Sequence, residues 1–175
     1  MSLVAVTSHI HNTLSPVISG LISPANLGRV AHRVPNKINF HIIDMLLNQA
    51  FREQIEEGDF EFLTDRALQV EIRDAHLFVG LTYRSNRIVC NHLAASECAS
   101  DVKLSVDTED AISLIQQEVD PDTLFFHRKL KISGDTELAH HVKNTIDTLN
   151  PDLIPAFLVR LMTEYRARVL NSPRR

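Results

Sequence analysis

The tightest constraint on the fold is the run from Asp120 to Asn144, DPDTLFFHRKLKISGDTELAHHVKN. Pro121 fixes its own φ and keeps Asp120 out of the helical region, so this pair predicts a turn. Leu124, Phe125 and Phe126 follow without a polar break. Leu130 and Ile132 then alternate with Lys129, Lys131 and Ser133, which is the period of a half-buried strand. Gly134-Asp135 predicts the end of that strand. Asp135 is placed to cap a helix carrying Leu138, Val142, Ile146 and Leu149.

The preceding sequence supplies the rest of a sheet. Ile38 to Glu57 predicts a long helix, with Asn36 as a candidate cap and Gly58 as its stop. Ile38, Ile42, Met45, Leu46 and Gln49 share one side; Phe40, Ile43, Leu47, Ala50, Phe51 and Gln54 share another. Two apolar sides require two neighbours. One is the sheet; the N-terminal zone, a partner chain or a ligand would serve as the second. Phe60 to Leu63 reads as a short strand. Leu68, Val70 and Ile72, then Leu77 to Tyr83, Ile88 to His92 and Val102 to Val106 read as longer ones, and their short spacings predict an antiparallel meander. Asp107 or Thr108 caps a helix reaching about Val119. Pro151 and Pro155 open a last helix with Ile154, Leu158, Leu161, Tyr165 and Val169 along one stripe. The order predicts an α+β domain, a largely antiparallel five-stranded sheet covered by helices. The expected division is an N-terminal extension over 1–37, a core domain over 38–150, and a C-terminal amphipathic helix and tail over 151–175. Pro16, Gly20, Pro24, Gly28 and Pro35 break the extension into pieces suited to short helical turns.

Composition narrows the function classes. With 44% hydrophobic and 23% charged residues, the chain matches an ordinary globule. Eight Phe, two Tyr and no Trp predict an aliphatic interior supplemented by Phe. The first residues lack a cationic segment, and no apolar run approaches the ~18 residues of a membrane span. A reducing cytoplasm is therefore expected, consistent with two cysteines too few for a disulfide framework. The first 43 residues sum to +3 and residues 160–175 to +4, so the net charge of −4 leaves the middle at −11. An acidic body with basic ends argues against a nucleic-acid binder. The basic ends fit either docking on that body or peripheral contact with an anionic membrane.

Candidate chemistry is sparse. Cys90, His92 and Cys98 do not make a standard zinc spacing, and no metal or other cofactor is expected. His140 and His141 diverge by about 100° on a helix. His140 falls on the polar side, and His141 borders the apolar stripe, where it could meet a ligand headgroup; a hydrolase or transferase would use His140 or His141. The acidic cluster Glu53, Glu56, Glu57, Asp59, Glu61 and Asp65 reads as a solvated face. No phosphate-binding, dinucleotide or hydrolase motif is present. The 120–144 run specifies packing rather than reactive groups, which favours binding something apolar over transforming it.

DPDTLFF followed by HRKLKISGDTELAHHVKN resembles the sterol-carrier-protein type of lipid-binding domain, whose last strand leads through Gly-Asp into a helix. The resemblance covers about Ile38 to Asn150. Its longer wording is similar to the branch of bacterial accessory factors of ubiquinone biosynthesis that serve the oxygen-independent pathway. The resemblance implies a hydrophobic cavity between sheet and helices for prenylated ubiquinone intermediates. It also implies no enzymatic activity, and hydroxylase proteins of that pathway as partners. A geometric expectation for the lining is Leu114, Phe125, Phe126, Leu138, Val142 and Ile146. The alternative is a cargo-free interaction or scaffold subunit, using the first and last helices as its interface. Localisation is expected to be cytoplasmic, peripheral to the inner membrane if the basic ends dock there.

Overall fold

The computed structural model describes residues 36–171 except 95, with side chains for 40–94 and 96–167. The expectation of short helical turns within 1–37 lies almost wholly outside the described residues.

Five strands form one sheet: β1 (Leu68–Ile72), β2 (Leu77–Arg84), β3 (Arg87–Ala94), β4 (Val102–Val106) and β5 (Lys131–Gly134). Their spatial order is β3-β2-β1-β4-β5. β2 and β3 form a hairpin across Ser85 and Asn86, both with positive φ, as the tight hairpin turns that match strand twist require. β1 pairs antiparallel with β2, and β4 with β5. β1 and β4 are parallel, with Leu68, Val70 and Ile72 opposite Val102, Leu104 and Val106. This corrects the meander: β4 returns to pair with β1 rather than with β3. A parallel pair needs a long crossover, and the β2–β3 hairpin itself supplies it.

The helices follow from local signals more closely. α1 (Asn36–Ala50) and α2 (Arg52–Glu57) replace the single expected helix. The break at Phe51 is minor, since its amide still donates to the Leu47 carbonyl at 2.9 Å. Gly58 ends α2 with φ 84°. Phe60 to Leu63 is not a strand; Glu61–Leu63 is a single 3₁₀ turn. Its Phe60 ring packs between Phe51 and Tyr83, with centroids at 5.3 and 6.1 Å. α1 lies along edge strand β3. Asp44 Oδ1 accepts from the Cys90 amide at 2.5 Å, and the Asn48 side chain bonds both Ile88 N and Ile88 O. These bonds cover backbone groups that an edge strand otherwise leaves open.

α3 (Thr108–Ile115) is capped from a distance. Asp74 Oδ1 accepts from the Thr108 amide and hydroxyl at 2.9 and 2.7 Å. Asp107, one of the two expected caps, is instead engaged by Arg73 Nε at 2.8 Å, and that guanidinium holds its carboxyl below the usual range. α3 stops short of Val119, because Gln117 takes φ 52°. Asp120-Pro121 then does more than turn. Asp120 Oδ1 accepts from the Thr123 amide at 2.7 Å and starts α4 (Pro121–Phe126), with proline at the position where its missing N–H costs nothing.

Gly134 and Asp135 behave as the sequence predicts. Gly134 has φ 109°, and a Cβ there would collide with the Asp101 carbonyl. Asp135 Oδ1 accepts from Glu137 N and Leu138 N, both at 3.0 Å. It thereby caps α5 (Thr136–Asp147). A 3₁₀ turn (Pro151–Leu153) leads into α6 (Ala156–Asn171). Among the described residues, no helix is long and apolar enough to cross a membrane.

Candidate functional site

Strand alternation builds one wholly apolar sheet face. Leu68, Val70 and Ile72 of β1, Leu81 of β2, Ile88 of β3, and Leu104 and Val106 of β4 all reach it. The helices do not close down on this face. They leave a cavity of about 380 Å³, within the range of small-molecule sites. Leu46, Leu47 and Ala50 of α1, Ala111 and Leu114 of α3, Val142 and Ile146 of α5, and Leu158 and Met162 of α6 stand in its walls, with Phe51, Phe60 and Phe62 from the stretch that follows α1. Among the described lining residues, Thr145 alone has a polar side chain, and its hydroxyl donates to the His141 carbonyl within α5 at 2.9 Å. Among the described residues, the lining holds no carboxylate, imidazole or thiol. What it offers a guest is escape from water.

A second hollow of about 270 Å³ adjoins the first. Leu114 and Ile146 stand in the walls of both. Gln117, Val119, Asp120, Pro121 and Asp147 complete it. The apolar cavity therefore borders, across two side chains, a pocket carrying an amide and two carboxylates.

The residues expected to line a cavity separate into three groups. Leu114, Val142 and Ile146 line it. Leu138 is buried, but behind the lining, within the main hydrophobic core. Phe125 and Phe126 stand outside it, 46% and 79% exposed. Successive helical residues point about 100° apart, and in α4 it is Leu124 that turns inward, at 3% exposure. The floor from β1 and β4 and the wall from Leu158 and Met162 were absent from the expected lining. Their signal was present in the strand alternation and in the stripe of the last helix.

α6 is held on the body by its side chains. Tyr165 is buried against Ile112, with Leu161 and Met162 beside it. Burial and the nearby Asp74 carboxylate push its hydroxyl above the ordinary tyrosine range. Arg166 donates to Gln116 Oε1 at 2.7 Å, Glu118 Oε1 at 2.6 Å and Ser113 Oγ at 2.7 Å, and its Nε lies 3.1 Å from Glu109. At this basic residue, the C-terminal segment docks on the acidic body.

The other candidates resolve into structural roles. Cys90 is buried in the core, and burial pushes its thiol up to about 11, so it stays protonated near neutrality. His92 Nε2 bonds the Ser96 carbonyl at 2.9 Å. Among the described residues, no group of three or more histidines, cysteines or acids is placed to hold a metal. His140 bonds Asn144, and His141 stacks on Phe62 with centroids at 5.1 Å; neither lines the cavity.

Residues 44–147 match the family model described as the SCP-2 sterol transfer family. The chain belongs to that family. The ubiquinone biosynthesis accessory factor UbiT of Escherichia coli strain K12 is 30% identical over 143 residues, covering 82% of this chain and 80% of that protein. UbiT of Escherichia coli O157:H7 matches with the same figures. The solved structure of a UbiJ-SCP2 ubiquinone synthesis protein superposes with a TM-score of 0.50 at 16% identity, over 70% of this chain and 99% of that one. That likeness concerns the fold. The α+β architecture, with a mixed, mostly antiparallel sheet covered by helices, is the family's, and the sequence relationship runs to UbiT.

Proposed function

We propose that this protein is a non-enzymatic carrier that holds prenylated intermediates of ubiquinone biosynthesis. It presents them to the hydroxylase proteins of the oxygen-independent pathway. The observation that carries this reading is the apolar cavity between sheet and helices. Kinship with UbiT supports the choice of pathway. A prenyl chain gains about 0.8 kcal/mol for each CH₂ removed from water, so a carrier needs an apolar interior and no reactive group. The adjoining pocket supports an amphipathic guest, since Gln117, Asp120 and Asp147 offer acceptors to a hydroxylated ring. Leu114, Val142 and Ile146 are the contact residues that placement favours, with Leu138 supporting them from behind. The carrier unit is 38–150. The segment from 151 adds part of the wall; peripheral contact at the cytoplasmic side of the inner membrane would fall to 1–37 and the basic C-terminus.

Extraction of the purified protein and mass spectrometry of the extract tests this reading. A copurifying prenyl lipid is expected. Ala111→Trp, which fills the cavity from α3, is expected to expel it while the chain still folds. A lipid-free protein that fails to take up added prenylphenol overturns the proposal. A cargo-free scaffold is then favoured. Exposed Ile42 and Met45 on α1 and Phe157 on α6 support that second reading as an interaction face.

A further inference from the structure

We propose that the C-terminal end of α4 is a membrane-docking surface, with Phe125 and Phe126 as the inserting side chains and an anionic phospholipid bilayer as the partner. α4 buries Pro121 and Leu124 and turns both phenylalanines to solvent. Phe126, at 79%, is the most exposed large apolar side chain among the described residues. The two rings meet edge to face with centroids 6.2 Å apart, so they form one apolar tip.

Cations follow that tip in the chain. Arg128 takes φ 60°, its amide donates to Phe125 O at 3.0 Å, and the Lys129 amide donates to Leu124 O at 2.9 Å. After this left-handed close of the helix the chain runs through His127, Arg128, Lys129 and Lys131, all exposed. Lys129 is engaged by Asp110 at 2.9 Å. Among the described residues, the side chains of Arg128 and Lys131 form no hydrogen bond or ion pair. Asp122 pairs with Lys143 at 2.7 Å and Asp107 with Arg73 at 2.8 Å, while Asp120, at the other end of the helix, accepts from Thr123.

An aromatic tip followed by exposed cations matches the layering of a bilayer, with acyl chains beneath anionic headgroups. The net charge of −4 for the chain makes this patch local. An anionic surface attracts the tip and repels the acidic remainder, which orients the docked molecule. The other end of α4, at Asp120 and Pro121, walls the polar pocket beside the cavity. A helix of this length spans about 9 Å, so docking brings that pocket close to the headgroups. The surface requires only these exposed side chains and is independent of which guest the cavity takes.

The chain contains no tryptophan, so Phe126→Trp in the full-length protein introduces a single indole reporter. With phosphatidylglycerol-containing vesicles, its emission is expected to shift to the blue and to be quenched by brominated acyl chains. Pure phosphatidylcholine vesicles are expected to give much smaller changes. Phe125→Ser/Phe126→Ser is expected to weaken vesicle flotation by about tenfold or more. Arg128→Gln/Lys131→Gln is expected to weaken it by about fivefold for each charge removed. Circular dichroism and copurifying lipid are expected to stay unchanged in these variants, which separates failure of docking from failure of the carrier reading. Full-length protein that does not float with anionic vesicles overturns the proposal. So does an unshifted indole in protein that floats, which assigns contact to another segment. A serine double variant that floats normally but loses self-association in sedimentation also overturns it, in favour of a contact between copies of this chain.

Discussion

α5 and α6 both wall the cavity, yet they are held by different kinds of interaction. α5 is written locally. Asp135 caps it at 3.0 Å, Gly134 sets the angle at which the chain enters it, and Leu138 and Val142 pin it to the core at 4% and 3% exposure. α6 has no such local signature. Pro155 precedes it, and Tyr165 and Arg166 fasten it to α3 and the residues just beyond. It contributes Leu158 and Met162 to the cavity while Phe157 and Val159 remain exposed. One wall is part of the core; the other is attached to it. An apolar interior that must admit a guest is opened most easily at the attached wall, because local opening costs least where few buried contacts are lost.

The largest expected effect breaks the core wall. Leu138→Ala is expected to lower global stability by about 2–5 kcal/mol in denaturant titration. A loss under about 1 kcal/mol places α5 outside the cooperative core and removes the contrast. Next comes the attached wall. Arg166→Ala, which strips α6 of its contacts to Ser113, Gln116, Glu109 and Glu118, is expected to weaken docking by about 1.5–3 kcal/mol. Hydrogen exchange checks this: amides of α6 are expected to speed up while those of β1 and β4 stay protected. Uniform acceleration through the sheet would show one cooperative unit instead.

Asp135→Ala removes a cap serving two amides and is expected to cost about 1 kcal/mol, with Asp135→Asn recovering most of it. The smallest effect is acid loosening of α6. The hydrogen bond from Arg166 holds the Glu118 carboxyl below its ordinary value. The folded-state value is thus depressed, so the pair's contribution is full above the ordinary glutamate range. It is lost as pH falls through the depressed one. Exchange in α6 is expected to rise over that acid window before the sheet unfolds, and Glu118→Gln is expected to flatten the rise.

Several elements were legible because their signals are short-ranged. The alternation in Leu68 to Ile72 and Val102 to Val106 needs only the two-residue period of a strand. Gly134-Asp135 needs only one backbone angle and one side-chain bond. The Phe60 segment forms a 3₁₀ turn where its pattern predicts a strand, because a short aromatic run fits both. Leu114, Val142 and Ile146 were within reach because each lies on the inward stripe of its own helix. Phe125 and Phe126 were not, because three apolar residues in succession do not announce which one turns inward.

By itself, the sequence determined the alternation of β1 to β4, the stops at Gly58 and Gly134, the cap of α5 at Asp135, and which sheet face is apolar. These are properties of neighbouring residues and their backbone angles. Tertiary structure alone decided that β4 pairs with β1, that Asp74 rather than Asp107 caps α3, and that the helices stand off the sheet far enough to leave a hollow. Those outcomes are set by contacts between residues distant in the chain, and no local period or cap encodes the distance between two packed layers.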